Sequence, residues 1–289
     1  MTLKDFQHLV QQGILLLDGA TGSNLKKAGM PTGICTEQWV LEHPDILLDL
    51  QGRYVDAGSK IVYAPTFAAN RISLAMYGLE NRVRQINTDL VKLSKKAVDG
   101  RAYVAGDVTT TGKLLEPRGE LQYQELLEAY QEQIAALAEA GADLIVAETM
   151  MDVDETLVVL EAASLVCSLP VMCSMTIESD GSLIFGGTII DAVESLQEMG
   201  AAAVGINCSV GPDQLEAVVR SISQAVTIPV IAKPNAGMPS IDEHGIAHYS
   251  MGPGEFAISM KKLIDNGAQI VGGCCGTTPE YIRELRRLL

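Results

Sequence analysis

Two adjacent cysteines near the end of the chain stand between glycines, in the stretch VGGCCGTTPE that covers residues 271–280. A disulfide between Cys274 and Cys275 is disfavoured, because neighbouring Cα atoms lie about 3.8 Å apart and a relaxed disulfide needs about 4.4–6.8 Å. Strand residues alternate faces, so both side chains point the same way only where the backbone leaves strand geometry. Gly273 and Gly276 permit that departure. The pair is suited to direct two sulfur atoms at one point.

A third cysteine, Cys208, follows an apolar run in the stretch GINCS. If both runs end at one rim of a sheet, three thiolates meet around one cation. Three protein ligands and one open position are typical of catalytic zinc, whereas structural zinc is usually closed by a fourth ligand. The sequence therefore predicts a zinc site formed by Cys208, Cys274 and Cys275. The remaining cysteines are predicted to be packing residues: Cys35, Cys167 and Cys173.

The composition is that of a globular protein, with 47% hydrophobic and 20% charged residues among 289. A formal charge of −15 offers no basic patch for phosphates, which argues against a nucleic-acid partner. The N-terminal stretch lacks the basic and apolar segments of a signal peptide. Apolar runs stay well below the roughly 18 residues of a membrane span. We therefore expect a cytoplasmic protein without a membrane partner and with reduced cysteines.

One sequence unit recurs along the chain and would position the cysteines. A helical segment ends in a glycine, as at Gly58, Gly141, Gly200 and Gly267, and a short apolar run follows. A glycine there supplies the left-handed helix cap, and a continuous apolar run is typical of a strand buried on both faces. The predicted strands cover 14–18, 60–65, 102–107, 143–148, 170–176, 203–208, 229–233 and 269–273. The predicted helices between them include 44–57, 120–140 and 256–265.

Eight strands alternating with helices predict an α/β fold, a (β/α)8 TIM barrel in which residues 1–289 form a single domain. A doubly wound open sheet is the alternative, but its glycine fingerprint G-x-G-x-x-G is missing after the first run. In a barrel, the chemistry lies at the C-terminal ends of the strands. Those predicted ends carry polar side chains: Asp18, Thr66, Asn70, Asp107, Glu148, Asn207 and Asn235.

The stretch after the cysteine pair predicts the start of the last helix. Thr278 is suited to cap it, with Pro279 at the first position and Glu280 in the first turn. A helix N-terminus favours thiolates or another anionic group at this end of the barrel. A barrel aldolase or a phosphate-binding barrel is therefore an alternative, although two thiolates have no use in a phosphate loop.

The motifs, in their order, resemble the zinc-dependent homocysteine S-methyltransferase family over nearly the whole chain. They are DGATGSNL, APTFAANR, GDVTTTG, AET, GINCSVGP, KPNAG and GGCCGTTPEYI. Within that family, the sequence is most similar to the homocysteine-binding module of cobalamin-dependent methionine synthase. The resemblance implies homocysteine as substrate, Zn²⁺ as cofactor, and transfer of a methyl group to a zinc-bound thiolate, which forms methionine.

The resemblance also implies roles for individual residues. Asp18 and Glu148 would hold the homocysteine ammonium, and the backbone N–H groups near Gly19 and Ala20 its carboxylate. Asn235 would take the fourth zinc position when substrate is absent. Four further residues would contact the substrate or support the residues that do: Thr66, Asn70, Asp107 and Asn207. Three alternatives remain: a salt bridge of Glu148 inside the barrel, turn formation by Asp18 and Asp107, and a plain hydrogen-bonding role for Asn235.

The methyl donor implied by the resemblance is methylcobalamin on a separate corrinoid protein or methionine synthase domain, since the barrel leaves no room for a corrinoid domain here. Betaine is disfavoured because Ala68 stands where betaine-dependent members carry a tyrosine. S-methylmethionine is an alternative donor. A non-catalytic, thiol- or metal-binding subunit of a corrinoid assembly is an alternative from another class. The segment 242–248, DEHGIAH, resembles the cobalamin motif D-x-H-x-x-G except at Ala247, and we predict a polar loop there.

Overall fold

The structure is a computed structural model that describes residues 1–178, 180–242 and 247–289. Its strands are β1 (Leu15–Leu16), β2 (Ile61–Tyr63), β3 (Tyr103–Val108), β4 (Leu144–Met150), β5 (Val171–Met175), β6 (Ala203–Asn207), β7 (Val230–Lys233), β8 (Pro239–Ile241), β9 (Ala247–Tyr249) and β10 (Ala268–Val271). Its α-helices are α1 (Leu3–Gln11), α2 (Gly22–Lys27), α3 (Thr36–Glu42), α4 (Pro44–Ala57), α5 (Arg71–Leu74), α6 (Val83–Val98), α7 (Tyr123–Glu139), α8 (Val153–Val166), α9 (Ile189–Glu198), α10 (Glu216–Ala225), α11 (Pro253–Asp265) and α12 (Pro279–Arg287). Short 3-10 helices cover Ala75–Tyr77, Glu80–Arg82 and Pro212–Gln214.

Eight parallel strands form one sheet in the order β1-β10-β7-β6-β5-β4-β3-β2. The sheet closes on itself, because Leu17 bridges Ile61 in parallel fashion beyond β1. The amide of Lys60 also donates to the carbonyl of Leu16 at 2.7 Å. Helices connect successive strands, so the fold is a (β/α)8 barrel. The predicted barrel is confirmed, and the chain does not form the alternative open sheet.

The apolar core lies inside and around the barrel. Leu17, Val146 and Ile231 point into its interior and are fully buried. Phe6 and Val10 of α1 pack against this group and close the N-terminal end of the barrel. A second cluster fills the layer between the sheet and the outer helices. Both faces of the strands are therefore buried, which explains why the strand sequences are continuously apolar rather than alternating.

Most predicted elements match, with shifts at their ends. The run 14–18 contributes only the two-residue strand β1, followed by the bridge at Leu17. The helix predicted for 120–140 starts at Tyr123, because Leu121 pairs with Leu115 in an isolated bridge and Gln122 keeps an extended backbone. Among the described residues, we find no helix that combines the length and apolar character of a membrane span.

The loop predicted after the seventh strand is in part a hairpin, so this prediction is wrong for its second half. β8 and β9 pair antiparallel, and Ala247 and His248 belong to β9. The imidazole of His248 contacts the carboxylate of Asp242 at 2.7 Å. Residues 243–246 of the predicted loop lie outside the described residues. The side chains of β8 and β9 are mostly exposed. The polar sequence therefore indicated a loop, although the two backbone segments pair as strands.

Candidate metal and substrate site

A cavity of about 320 Å³ opens at the C-terminal ends of the strands. The three predicted zinc ligands line one side of it. Asp18, Asp107 and Glu148 line the floor together with Lys233. The strand ends therefore gather thiols and carboxylates in one space, as a barrel requires of an active site.

The three sulfur atoms of Cys208, Cys274 and Cys275 all lie within 4.8 Å of one another. The sulfur atoms of Cys208 and Cys275 are 3.7 Å apart. Sulfur atoms bound tetrahedrally at about 2.3 Å from one zinc ion would lie about 3.8 Å apart. The three sulfur atoms are therefore close enough to one another to bind a single zinc ion.

Hydrogen bonds between strand ends bring the cysteines together. The amide of Cys208 donates to the carbonyl of Lys233 at 3.2 Å, and the amide of Cys274 donates to Pro234 at 2.7 Å. Thr277 closes a tight turn by donating from its hydroxyl to the carbonyl of Cys274 at 2.7 Å. Cys208 itself has a φ of 61°, a left-handed backbone that few residues other than glycine adopt. With this backbone conformation, the Cys208 side chain lines the cavity.

The proximity of the sulfur atoms also sets their protonation. Contacts with Cys208 and Cys274 lower the pKa of Cys275. Contacts with Cys274 and Cys275 raise the pKa of Cys208. Without a cation, the cluster thus favours one thiolate over three, because adjacent anions repel. A metal ion would remove this repulsion and hold all three as thiolates.

A buried lysine, which the sequence analysis missed, lies among the acidic residues. The ammonium of Lys233 is 3.1 Å from Glu148 Oε1 and 3.6 Å from Asp18 Oδ1. Burial raises the pKa of the Asp18 carboxyl to about 7 and raises that of Asp107 well above its ordinary value. Burial alone would lower the pKa of Lys233, but Glu148 and Asp18 hold it well above the ordinary value. The salt bridge considered as an alternative for Glu148 is thus present.

A model of the homocysteine S-methyltransferase family matches residues 15–289. The chain belongs to this family. Methionine synthases of Mycobacterium leprae and Mycobacterium tuberculosis are each 30% identical over 303 residues, which cover 97% of this chain and 25% of each relative. The chain thus spans about a quarter of the length of these methionine synthases.

Solved structures support the fold of this family member. The homocysteine methyltransferase MmuM of Escherichia coli is 24% identical in its metallated form, with a TM-score of 0.81 over 98% of this chain and 99% of that chain. Its oxidized form gives a TM-score of 0.80 over 96% of both chains. At this identity, the likeness concerns the barrel itself.

The glycine loop after β1 lines the cavity of this S-methyltransferase family member. A Cβ atom at Gly19 would lie 2.6 Å from the Tyr54 hydroxyl and 2.7 Å from the Thr277 hydroxyl, so packing requires glycine there. The amide of Ala20 donates to the Thr277 hydroxyl at 3.0 Å. A carboxylate that binds to the Ala20 amide would compete with this hydroxyl.

Other predicted residues stand behind the cavity rather than at its surface. The hydroxyl of Thr66 donates to the carbonyl of Asp107 at 2.8 Å, which ties the end of β2 to β3. Asn70 caps α5 by accepting from the amide of Ser73 at 2.8 Å. Both side chains are fully buried. Their contacts support the walls of the site.

The two remaining asparagines lie beside the cysteines. Asn207 donates to the sulfur of Cys274 at 3.9 Å. Asn235 donates to the carbonyl of Ser209 at 3.1 Å, whereas its Oδ1 is buried without a hydrogen-bond partner in the described structure. An unpaired oxygen of this kind is compatible with the predicted fourth zinc ligand.

The outer wall of the cavity includes residues that the sequence analysis did not identify. Phe67 and Tyr77 line it and are 36% and 45% exposed. Glu37 of α3 lines it too, although it is only 4% exposed, and it accepts the amide of Ala68 at 2.9 Å. These residues come from the segments inserted after β1 and β2. They do not lie at strand ends, so the positions of the strands do not predict them.

Proposed function

We propose that this chain is a zinc-dependent methyltransferase that transfers a methyl group to homocysteine and so forms methionine. The observation that carries the proposal is the trio of cysteine sulfur atoms within 4.8 Å at the mouth of the barrel. Cys208, Cys274 and Cys275 would hold the zinc ion. Zinc bound there would supply the acceptor thiol as a thiolate at neutral pH, where a free thiol with a pKa of about 8.5 is mostly protonated.

The acidic floor of the cavity supports an amino-acid acceptor. Asp18, Asp107 and Glu148 outnumber the single cation, Lys233, that lies among them. Burial raises the pKa of Asp18 and Asp107 in the empty cavity, and binding of the homocysteine ammonium would favour their ionised forms and orient its sulfur toward the cysteines. Amide groups of the loop at Gly19 and Ala20 would meet its carboxylate. The acceptor sulfur then forms a bond to the methyl carbon, and the electron pair of the breaking bond leaves with the donor.

We propose methylcobalamin, carried by a separate corrinoid protein or domain, as the methyl donor. The similarity to methionine synthases, a quarter of whose length this chain spans, supports this proposal. A reducing compartment such as the cytoplasm would keep the three thiols available for metal.

S-methylmethionine is the second candidate donor, and the outer wall of the cavity favours it. Phe67 and Tyr77 present aromatic rings to the cavity, whereas the carboxylate of Glu37 accepts the amide of Ala68 at 2.9 Å and the thiol of Cys35 at 3.3 Å. Aromatic faces suit a sulfonium cation. The two donors differ in size and charge, so a direct assay separates them.

The test measures methionine formation from homocysteine by the zinc-loaded protein, with methylcobalamin or S-methylmethionine as donor. The metal site is tested with Cys208→Ser and Cys275→Ser, and Cys167→Ser is the matched control because it lies at the end of α8, away from the cavity. We expect about one zinc per chain in the wild type and control, and almost none in the other two variants.

The outcomes separate the alternatives. Zinc and homocysteine binding without turnover of either donor would favour the non-catalytic, metal-binding subunit. Aldolase activity or phosphate binding that survives strong chelation would favour an aldolase or a phosphate-binding barrel. Full zinc content in both site variants would remove the proposed metal centre.

A further inference from the structure

Glu37 is a buried carboxylate that accepts hydrogen bonds from the protein at both of its oxygens. It lies in the first turn of α3 and is only 4% exposed. Its Oε1 accepts the amide of Ala68 at 2.9 Å, and its Oε2 accepts the thiol of Cys35 at 3.3 Å. Burial raises the pKa of that thiol to about 11, so Cys35 keeps the proton that it donates. A carboxylate suits two donors, because the amide of a glutamine accepts at only one of its two ends.

The loop between β2 and α5, which contains Ala68, is also held by the outer helices. Gln133 of α7 donates to the carbonyl of Thr66, and Asn87 of α6 donates to the carbonyl of Ala69, both at 2.8 Å. Both of these amide side chains are fully buried. Side chains from three helices therefore fix three backbone groups of one short loop. Of the three side chains, only that of α3 lines the cavity.

Phe67 lies in the middle of this loop and lines the cavity, although more than a third of its surface is exposed. Core packing alone therefore does not fix the ring, and its position depends on the backbone that carries it. The hydrogen bond from Ala68 to Glu37 is made by the next residue along the chain and ties the loop to α3. Loss of this bond would release the loop on the side of the cavity.

We propose that Glu37 is a positioning residue for the methyl donor: it holds the loop at Ala68 so that Phe67 forms the wall past which the donor enters. This inference rests on the proposed function. The cysteines and the acidic floor would hold the metal and the acceptor, so the outer wall is the part of the cavity left for the donor. Glu37 acts through Phe67 and does not contact the donor itself, because protein donors already occupy both of its oxygens.

The experiment measures the KM of homocysteine and the KM of the methyl donor, S-methylmethionine or methylcobalamin, that the zinc-loaded wild-type protein turns over. Glu37→Gln keeps the shape of the side chain, but its NH₂ group then faces the amide of Ala68 or the thiol of Cys35. Glu37→Asp keeps the charge but is one methylene too short for both partners. Glu42→Gln is the matched control, because Glu42 is an exposed residue of the same helix. Zinc content and the melting temperature are recorded for each protein.

Both Glu37 variants should raise the KM of the donor about tenfold, the effect of losing one hydrogen bond to a charged group. The KM of homocysteine should stay within about twofold, with zinc content unchanged. A donor KM that rises only in Glu37→Gln would mean that the charge contacts the donor directly, which overturns the inference. An unchanged donor KM in both variants overturns it as well. An equal rise for homocysteine, or loss of zinc, would also overturn it, since the role would then be purely structural.

A double variant tests whether Glu37 acts through Phe67. Phe67→Ala removes the ring and should raise the KM of the donor at least as much as Glu37→Gln does. The two substitutions together should raise it no further than Phe67→Ala alone, because the effects of residues that act through one another do not add. Additive effects would overturn the inference, and so would an unchanged donor KM in Phe67→Ala, which tests it even where a Glu37 variant does not fold. Wild-type protein that turns over neither donor refutes the proposed function itself, before any variant is compared.

Discussion

The side-chain amide of Asn207 donates to the sulfur of Cys274 at 3.9 Å, while its carbonyl oxygen accepts from the amide of Thr149 and the hydroxyl of Ser174, both at 2.8 Å. Asn207 therefore connects the ends of β4, β5 and β10. Thr149 has a φ of 58°, a conformation that costs energy outside glycine and that these hydrogen bonds help to hold. The asparagine supports the proposed metal site and does not line the cavity.

We predict that Asn207→Ala weakens zinc binding by about 10–100-fold, the usual effect of removing an outer partner of a metal ligand. The measurement is competition for zinc against a chelator of known affinity. Asn81→Ala, at an exposed position, is the control and should bind zinc like the wild type. Unaltered zinc affinity in a folded Asn207→Ala protein would show that the contact with Cys274 is incidental.

Gly276 gives a second test of the cysteine turn. Its φ is 84°, and a Cβ atom there would lie 2.4 Å from the ring of Tyr249. Gly100 has a similar φ of 71° but open space around it. Alanine should cost about 1–2 kcal/mol at either position from backbone strain alone.

We predict that only Gly276→Ala also loses zinc, because the clash must move either Tyr249 or the turn that carries Cys274 and Cys275. Zinc content and chemical unfolding of the two variants measure this difference. If Gly276→Ala keeps its full zinc complement and matches Gly100→Ala in stability, the turn tolerates the extra methyl group and our account of it fails.

The barrel and its cysteines could be predicted because both depend on local patterns. Apolar runs after glycine caps define the strands, and parallel strands bring their ends to one rim whatever the sequence distance. Cys208 and Cys275 are 67 residues apart and still meet.

The remainder of the site depends on packing that local patterns do not encode. Lys233 ends the apolar run VIAK, where a lysine is equally compatible with a solvated strand end. Its burial accompanies contacts with two carboxylates, those of Asp18 beyond β1 and Glu148 on β4. Glu37 lies on a short helix between β1 and α4, and no periodicity indicates that this helix folds over the cavity.

Glu148→Gln tests the acidic floor directly. The amide keeps the shape of the side chain but removes the charge that would face the ammonium of homocysteine. We predict that the KM for homocysteine rises at least about tenfold, as expected when one partner of a hydrogen-bonded charge pair is lost. Zinc content should stay that of the wild type. An unchanged KM would argue against ammonium binding by Glu148 and would leave its salt bridge with Lys233 as its role.

Asp18 gives the zinc-free protein a pH-dependent stability. Burial raises the pKa of its carboxyl from 3.8 to about 7 in the folded chain, although Lys233 opposes the shift. Between these two values, the folded state binds more protons than the unfolded state. The contribution of Asp18 to the free energy of unfolding therefore falls as pH rises from about 4 to 7, and it is constant above that range.

We predict that Asp18→Asn flattens this part of the stability profile. At about 1.4 kcal/mol per pKa unit, the contribution of Asp18 is of the order of a few kcal/mol. Urea unfolding of zinc-free wild type and variant at several pH values between 4 and 8 measures it. The difference in free energy of unfolding between the two proteins should change steadily up to about pH 7. A difference that is independent of pH would mean that Lys233 keeps Asp18 ionised throughout, and that the ion pair outweighs the burial of the carboxylate.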